Sequence, residues 1–291
     1  MQNRFLDIDA ETFRTHFNRT PFLFRHHVTD HPLFKLTRLA ELARTLPPSI
    51  VEYNAGKIPV NLPDWENTPY TGLSAEETVR RIEECGSWIV LKRAEAAPDC
   101  LQLLNEVLDE IEPLSEPIEP GMCEREGAVF VTSPSSVTPY HMDHEINFLL
   151  QIRGSKTVSV FSASDREVLS ELELEKHFSG PAIHRNMVFH ERYQERAKVF
   201  ELEAGYGLHI PTTDPHWIKN GNQVSVSFSA AFKTRASLHR GAVYGLNGQM
   251  RSVGLSPAPY GKGALRDAVK YQASRVVGRA QRMLNIQRPE G

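Results

Sequence analysis

The sequence predicts a mainly β protein with α additions. Three observations lead there. From residue 127 onward, short runs rich in β-branched and aromatic residues follow one another with turn residues between: "GAVFVTSPS", "INFLLQI", "KTVSVF", "AKVFELEAG", "YGLHIPT" and "QVSVSFSAAF". Regularly spaced strands of this kind build an all-β sandwich or barrel. Before residue 120, helix-like and strand-like runs alternate, and after residue 235 a basic stretch carries a helical period. The expected organisation is an N-terminal α/β segment over 1–120, a β core over 121–235, and a C-terminal basic helical extension over 236–291.

The elements follow in order. "DAETFRTHF" sets Asp9 before an acid-containing first turn, a helix N-cap pattern. "PFLFRHHV" is short and apolar enough for a strand. "PLFKLTRLAELARTL" spaces Leu36, Leu39, Leu42 and Leu46 at a helical period. Pro47 and Pro48 stop that helix. "SIVEYNAGKIPVNL" reads as strand, turn, strand. "SAEETVRRIEECG" opens on a capping box, Ser74 with Glu77, and ends on Gly86. "SWIVLKR" is a strand and "APDCLQLLNEVLDEIEPL" a helix, after which Pro113, Pro117 and Pro120 mark a boundary. In the core, "SVSF" alternates as a strand does when its two faces meet different surroundings. A charged insertion over 163–195 has the length of a functional lid. In the tail, Leu265, Ala268, Val269, Ala273, Val276, Val277, Ala280 and Leu284 share one side of a helix, with Arg266, Lys270, Arg275, Arg279 and Arg282 mostly elsewhere.

The bulk numbers narrow the classes. At 291 residues the chain can bury a sizeable core, and 40% hydrophobic with 24% charged residues is an ordinary globular composition. No window approaches 18 apolar residues, so no transmembrane segment is expected, and the polar, acidic opening segment lacks a signal-peptide core. Three cysteines, Cys85, Cys100 and Cys123, with no C-x-x-C spacing, exclude a disulfide framework and fit a reducing cytoplasmic setting. Charge is uneven: residues 233–291 hold 11 Lys/Arg against two acids, Asp267 and Glu290, while the whole chain is net −3. The plainer reading docks this basic helix on the acidic body or on a second subunit, as a homodimer; the rival reading binds an anionic partner such as nucleic acid or a membrane surface.

The chemistry concentrates in "TPYHMDHEINFLLQIRGSKTVSVF", residues 138–161. Side chains two apart on a strand point the same way, so His141 and Asp143 can aim an imidazole and a carboxylate at one ion. A third ligand, His216, stands in "GYGLHIPTTDPHWIKNG", between two further strands. Two histidines and one carboxylate leave three positions open on a metal, the arrangement of non-haem Fe(II) oxygen chemistry. The plainer alternative is a polar cap on a strand end.

These two stretches resemble the two halves of the JmjC, or cupin-like, Fe(II)/2-oxoglutarate oxygenases. The nearest pattern is that of the asparaginyl hydroxylase acting on hypoxia-inducible factor, T-P-x-H-x-D…N-F…Q-x-x-G-x-K. The resemblance covers about 127–232. It implies a double-stranded β-helix (jelly roll), with His141, Asp143 and His216 as iron ligands. It implies Thr138 and Lys156 as holders of the distal carboxylate of 2-oxoglutarate, and O2 as the third reactant. Asn147 falls on the face of Asp143, within reach of cosubstrate or substrate, and Ser229 stands near a cosubstrate-side Asn of the family. Three positions depart from the pattern: Gly205-Tyr206 for Gly-Asp, Asp214-Pro215 for an aromatic pair, and His209 for a Tyr. His209 also remains as an alternative ligand, while His144 reads as a bystander. The reaction implied is hydroxylation of a protein side chain or a small metabolite. Rival readings are a Zn or Mn cupin isomerase or hydrolase, and a non-catalytic cupin-like regulatory protein.

Overall fold

Strand β7 (Ile146–Arg153) shows why the chain folds as it does. Its residues are buried up to the last, so both faces meet protein. Ile146, Phe148, Leu150 and Ile152 join one hydrophobic cluster, whereas Leu149 joins another. Asn147 and Gln151 share the second face with Leu149, buried and polar. A strand of this kind is the middle of a sheet between two layers.

The computed structural model describes residues 4–62, 68–179 and 187–286. The strands are β1 (Leu6–Asp7), β2 (Phe22–His26), β3 (Val51–Ala55), β4 (Ser87–Leu91), β5 (Cys123–Thr132), β6 (Val137–His141), then β7, β8 (Ser155–Val160), β9 (Lys198–Glu203), β10 (Tyr206–Ile210), β11 (His216–Asn220) and β12 (Ser225–Lys233). The helices are α1 (Ala10–His16), α2 (Leu36–Thr45), α3 (Ala75–Arg80), α4 (Pro98–Ser115), α5 (Glu171–Ser179), α6 (Arg235–Ser252) and α7 (Ala264–Ile286). By contact the chain divides into two units: Met1–Ala163 with Asn186–Thr234, and Ser164–Arg185 with Arg235–Gly291.

In the first unit an eight-stranded sheet runs β1-β2-β10-β7-β12-β5-β4-β3 and a four-stranded sheet runs β6-β11-β8-β9. All pairings are antiparallel. The strands β5 to β12 interleave as β10-β7-β12-β5 in one sheet and β6-β11-β8-β9 in the other, the order of a double-stranded β-helix. The N-terminal strands β1 to β4 lengthen the large sheet at both ends, and α1, α2 and α4 add Phe13, Leu39, Leu42, Leu104, Val107 and Leu108 to the cluster on its outer face. Capping follows the sequence: Asp9 accepts from Thr12 N–H, and Ser74 with Glu77 closes a capping box.

The chain passes from one sheet to the other at Gly154, between β7 and β8. Its φ is +70°, and a Cβ there would stand 2.5 Å from the Val224 carbonyl. Only glycine fits both demands. The "SVSF" alternation also resolves: Val226, Phe228 and Ala230 enter the helix-covered cluster, and Ser225, Ser227 and Ser229 occupy the opposite face, equally buried. One expected strand is not formed. Residues 57–62 run as irregular chain beside β6 instead, where Gly56 O and Val60 O accept from Val137 N–H and Tyr140 N–H. The run satisfies the edge of the small sheet without joining its ladder, which is enough to protect that edge.

The second unit holds α5, α6 and α7. Within it Arg251 pairs with the fully buried Glu175, and Phe178 stacks on Tyr244. The apolar side expected on the tail helix is exposed at Leu265, Val269 and Val276. Within the 163–195 insertion, residues 171–179 form α5 and 191–196 a short 3-10 helix, while 180–186 lie outside the described residues. No helix among the described residues is long and apolar enough to cross a membrane.

Candidate metal centre

His141 ends β6, Asp143 lies in the turn that follows, and His216 opens β11. The register pairs His216 directly with His141, while Ile218 pairs with Thr138, so three residues of β6 oppose two of β11. This bulge puts Thr138 and His141 on one face although they are an odd number apart. One ligand atom from each of His141, Asp143 and His216 falls within 4.8 Å of the others. The two imidazole centroids are 4.2 Å apart at 55°, and Asp143 Oδ2 is 3.8 Å from His216 Nε2.

The hydrogen bonds set the tautomers. His141 Nδ1 lies 2.8 Å from Pro139 O, and His216 Nδ1 lies 3.0 Å from Asp214 O. Carbonyl oxygens only accept, so each Nδ1 carries a proton, and it is Nε2 that is left to offer a lone pair to a metal. Backbone carbonyls on the far nitrogen are how ligating histidines are oriented and made more basic. Two lone pairs and one carboxylate therefore converge, and the donor set fits a divalent first-row metal with positions left open.

Lys156 projects from β8 into the space between the sheets. It is 4% exposed, and its Nζ donates to Ser227 Oγ at 2.6 Å. Ser227 in turn donates to Gln151 Oε1 at 2.7 Å, and Gln151 Nε2 donates to Arg153 O and Ser225 Oγ. Burial drives the Lys156 amine down from 10.5 to about 7. No carboxylate pairs with it among the described residues, so desolvation goes unopposed. Asn220 is its cross-strand partner on β11, and Thr138 shares that inward face two strands away, opposite Ile218. Among the described residues nothing donates to the buried Asn220 Oδ1.

No family model matches this chain, and no curated protein matches it. Among solved structures, it is similar to an X-ray structure of YcfD from E. coli, with 15% identity over 98% of this chain and 69% of that one, TM-score 0.49. YcfD, described as a ribosomal oxygenase from Escherichia coli, in complex with cobalt and succinic acid gives 14% identity over 98% and 68%, TM-score 0.46. The same protein with cobalt and 2-oxoglutarate gives 13% over 94% and 67%, TM-score 0.46. Likeness this distant leaves the chemistry to the geometry of the site.

The other anticipated residues separate. Asn147 accepts from Ser229 Oγ through Oδ1 at 2.8 Å, so these two lock together across β7 and β12. His209 is brought elsewhere. It is fully buried, its ring 5.5 Å from Phe17 and 4.6 Å from Phe148. Its Nδ1 donates to Asn147 O at 3.2 Å and its Nε2 accepts from Asn18 N–H at 2.9 Å. Burial pushes it down to about 3, so it is a neutral core residue with both nitrogens used. That sets His209 aside as the alternative ligand. Ser227, Gln151 and Asn220 were not singled out from the sequence. The serine alternation in "SVSF" bears on Ser227, and Gln151 stands at the Q of the Q-x-x-G-x-K run, but no role is read for either from the sequence.

Proposed function

We propose that the chain is an Fe(II)- and 2-oxoglutarate-dependent oxygenase that hydroxylates a protein side chain or a small metabolite. One observation carries this reading: three convergent metal-ligand atoms share the interior between the sheets with a buried lysine that has no carboxylate partner among the described residues. His141, Asp143 and His216 are the residues that would hold the iron. Lys156, supported by Ser227 and with Thr138 on the same face, would hold the far carboxylate of 2-oxoglutarate. Asn147 and Ser229, bonded to each other on the large sheet, would stand on the cosubstrate side. When bound, iron with 2-oxoglutarate and O2 supplies an oxidant that places one oxygen atom in a substrate C–H bond and the other in succinate.

The protein's own contribution is orientation and exclusion of water. Pro139 O and Asp214 O fix the two imidazoles so that both Nε2 lone pairs face the same point. Lys156 offers an ammonium in a dry site, where a carboxylate is bound more strongly than in water. A Zn or Mn isomerase or hydrolase would leave Lys156 without a task.

The test is anaerobic metal titration followed by succinate formation in air. Wild-type protein is expected to bind one Fe(II) or Co(II) and to turn over 2-oxoglutarate in an iron-dependent manner. His141→Ala is expected to lose both. Unchanged metal binding and turnover in His141→Ala would show the centre to be wrongly assigned.

A further inference from the structure

The loop 211–215 joins β10 to β11 and is bound to both ligand-bearing turns. Thr213 N–H donates to Asp143 O at 2.9 Å, Thr212 Oγ1 donates to His144 O at 2.9 Å, and Asp214 O receives the His216 Nδ1 proton. Thr213 sits at φ +64°. A β-branched residue adopts that left-handed conformation only where its surroundings enforce it.

The loop is also held from the other end of the chain. Asn18, in the turn after α1, is itself left-handed at φ +51°. Its Oδ1 accepts from Thr212 N–H at 2.9 Å, and its Nδ2 donates to Glu119 Oε1 at 2.8 Å. Its own N–H donates to the neutral His209. Glu119 is tied in turn to Thr234 at the end of β12. The turn cannot drift, because Phe13 and Phe17 of α1 are buried and stack on Phe148 of β7.

We infer that Asn18 and Thr212 are positioning residues for the metal centre: the turn after α1 holds the 211–215 loop, and that loop fixes the backbone of Asp143 and the ring of His216. This rests on the metal-centre reading above. Neither residue touches the metal point itself; they act through the carbonyls and turns that aim the ligands.

Co(II) is the probe, because its affinity and its visible absorption report ligand geometry without turnover. Asn18→Gly keeps the left-handed backbone and the N–H to His209 but removes both side-chain bonds. Thr212→Val removes only the hydroxyl bond to His144 O. Each is expected to weaken Co(II) binding by about tenfold or more, the usual effect of losing an outer partner of a metal ligand. Each is also expected to alter the Co(II) absorption bands, while the metal-free melting temperature falls by only about 2–4 °C. Binding within about twofold of wild type in either folded variant overturns the inference. So does weakening accompanied by a metal-free melting temperature lower by more than about 10 °C, since that is general loosening. If Asn18→Gly does not fold, Thr212→Val decides. Wild-type protein that binds no Co(II) would instead overturn the metal-centre reading, and this inference with it.

Discussion

Replacing Lys156 by Met separates the structural cost of this side chain from its use. The amine falls from 10.5 to about 7 because burial opposes its charge. At about 1.36 kcal/mol per pH unit, that difference corresponds to a folded-state penalty on the order of 5 kcal/mol. The direction is fixed. Above pH 10.5 the amine is neutral whether folded or unfolded, and the penalty is absent. Between 10.5 and about 7 the unfolded chain binds a proton that the folded chain refuses, so stability falls as pH falls. Below about 7 the full penalty applies. Met fills similar volume without charge, and loses only the bond to Ser227, worth about 1 kcal/mol net. Lys156→Met is therefore expected to melt several degrees above wild type at pH 6, with the difference vanishing toward pH 10.5.

Binding should move the other way. A carboxylate beside Nζ restores the ammonium, so 2-oxoglutarate affinity is expected to be level below pH 7. Above it, affinity should fall by up to about tenfold per pH unit as the free amine loses its proton. Loss of one charge-assisted contact of about 3 kcal/mol makes the Lys156→Met affinity weaker by about a hundredfold. The assay is calorimetric titration of N-oxalylglycine into the anaerobic Co(II) protein from pH 6 to pH 9, paired with melting curves. A variant that melts below wild type at pH 6 would refute the penalty. An affinity unchanged by the substitution, or flat between pH 6 and pH 9 in wild type, would refute the anion site.

Two more outcomes follow from the buried polar groups. Ser227→Ala takes away the acceptor that holds Lys156 and leaves Gln151 Oε1 without its donor; it should weaken 2-oxoglutarate about tenfold while Co(II) affinity stays within about twofold, and equal losses of both would contradict the arrangement. His26 and His209 are lowered from 6.5 to about 4 and about 3 by burial. Each keeps the folded state from taking a proton that the unfolded chain accepts, so metal-free stability should fall by about 2 kcal/mol per histidine between pH 6.5 and pH 5. His209→Gln should remove about half of that fall in urea titrations and leave Co(II) stoichiometry at about one; lost stoichiometry would make His209 a ligand after all.

The parts of this site legible in the sequence are those that local geometry dictates. His141 and Asp143 stand two apart, and a strand end turns that spacing into convergence. Lys156 is different: a lysine after a glycine turn reads by itself as solvated, and only the family resemblance pointed to its role. The alternating "SVSFS" announced two unlike faces, and the structure shows them to be a helix-packed face and a polar seam. What stayed hidden depends on partners distant in the chain. The bulge that turns Thr138 inward exists because of β11. The run 57–62 has strand-like composition, but its neighbour offers only an edge to satisfy. Asn18 and Thr212 are 194 positions apart, and a turn asparagine carries no sign of what its side chain will hold.

Charge supports the proposed use of the polar seam. Two neutral imidazoles and the Asp143 carboxylate leave a bound divalent metal with one net positive charge. Lys156, once protonated, adds a second within the same enclosed space. A dicarboxylate dianion cancels both; a monocarboxylate leaves one buried charge unmatched, at the cost that burial already imposes on the amine. Burial lowers the lysine to about 7, so an anion beside it would favour the charged form that burial opposes. A purely structural lysine has no reason to sit here, because any apolar side chain of the same length would be more stable. If a dicarboxylate is the occupant, the serine and glutamine behind the amine hold it ready for the second carboxylate.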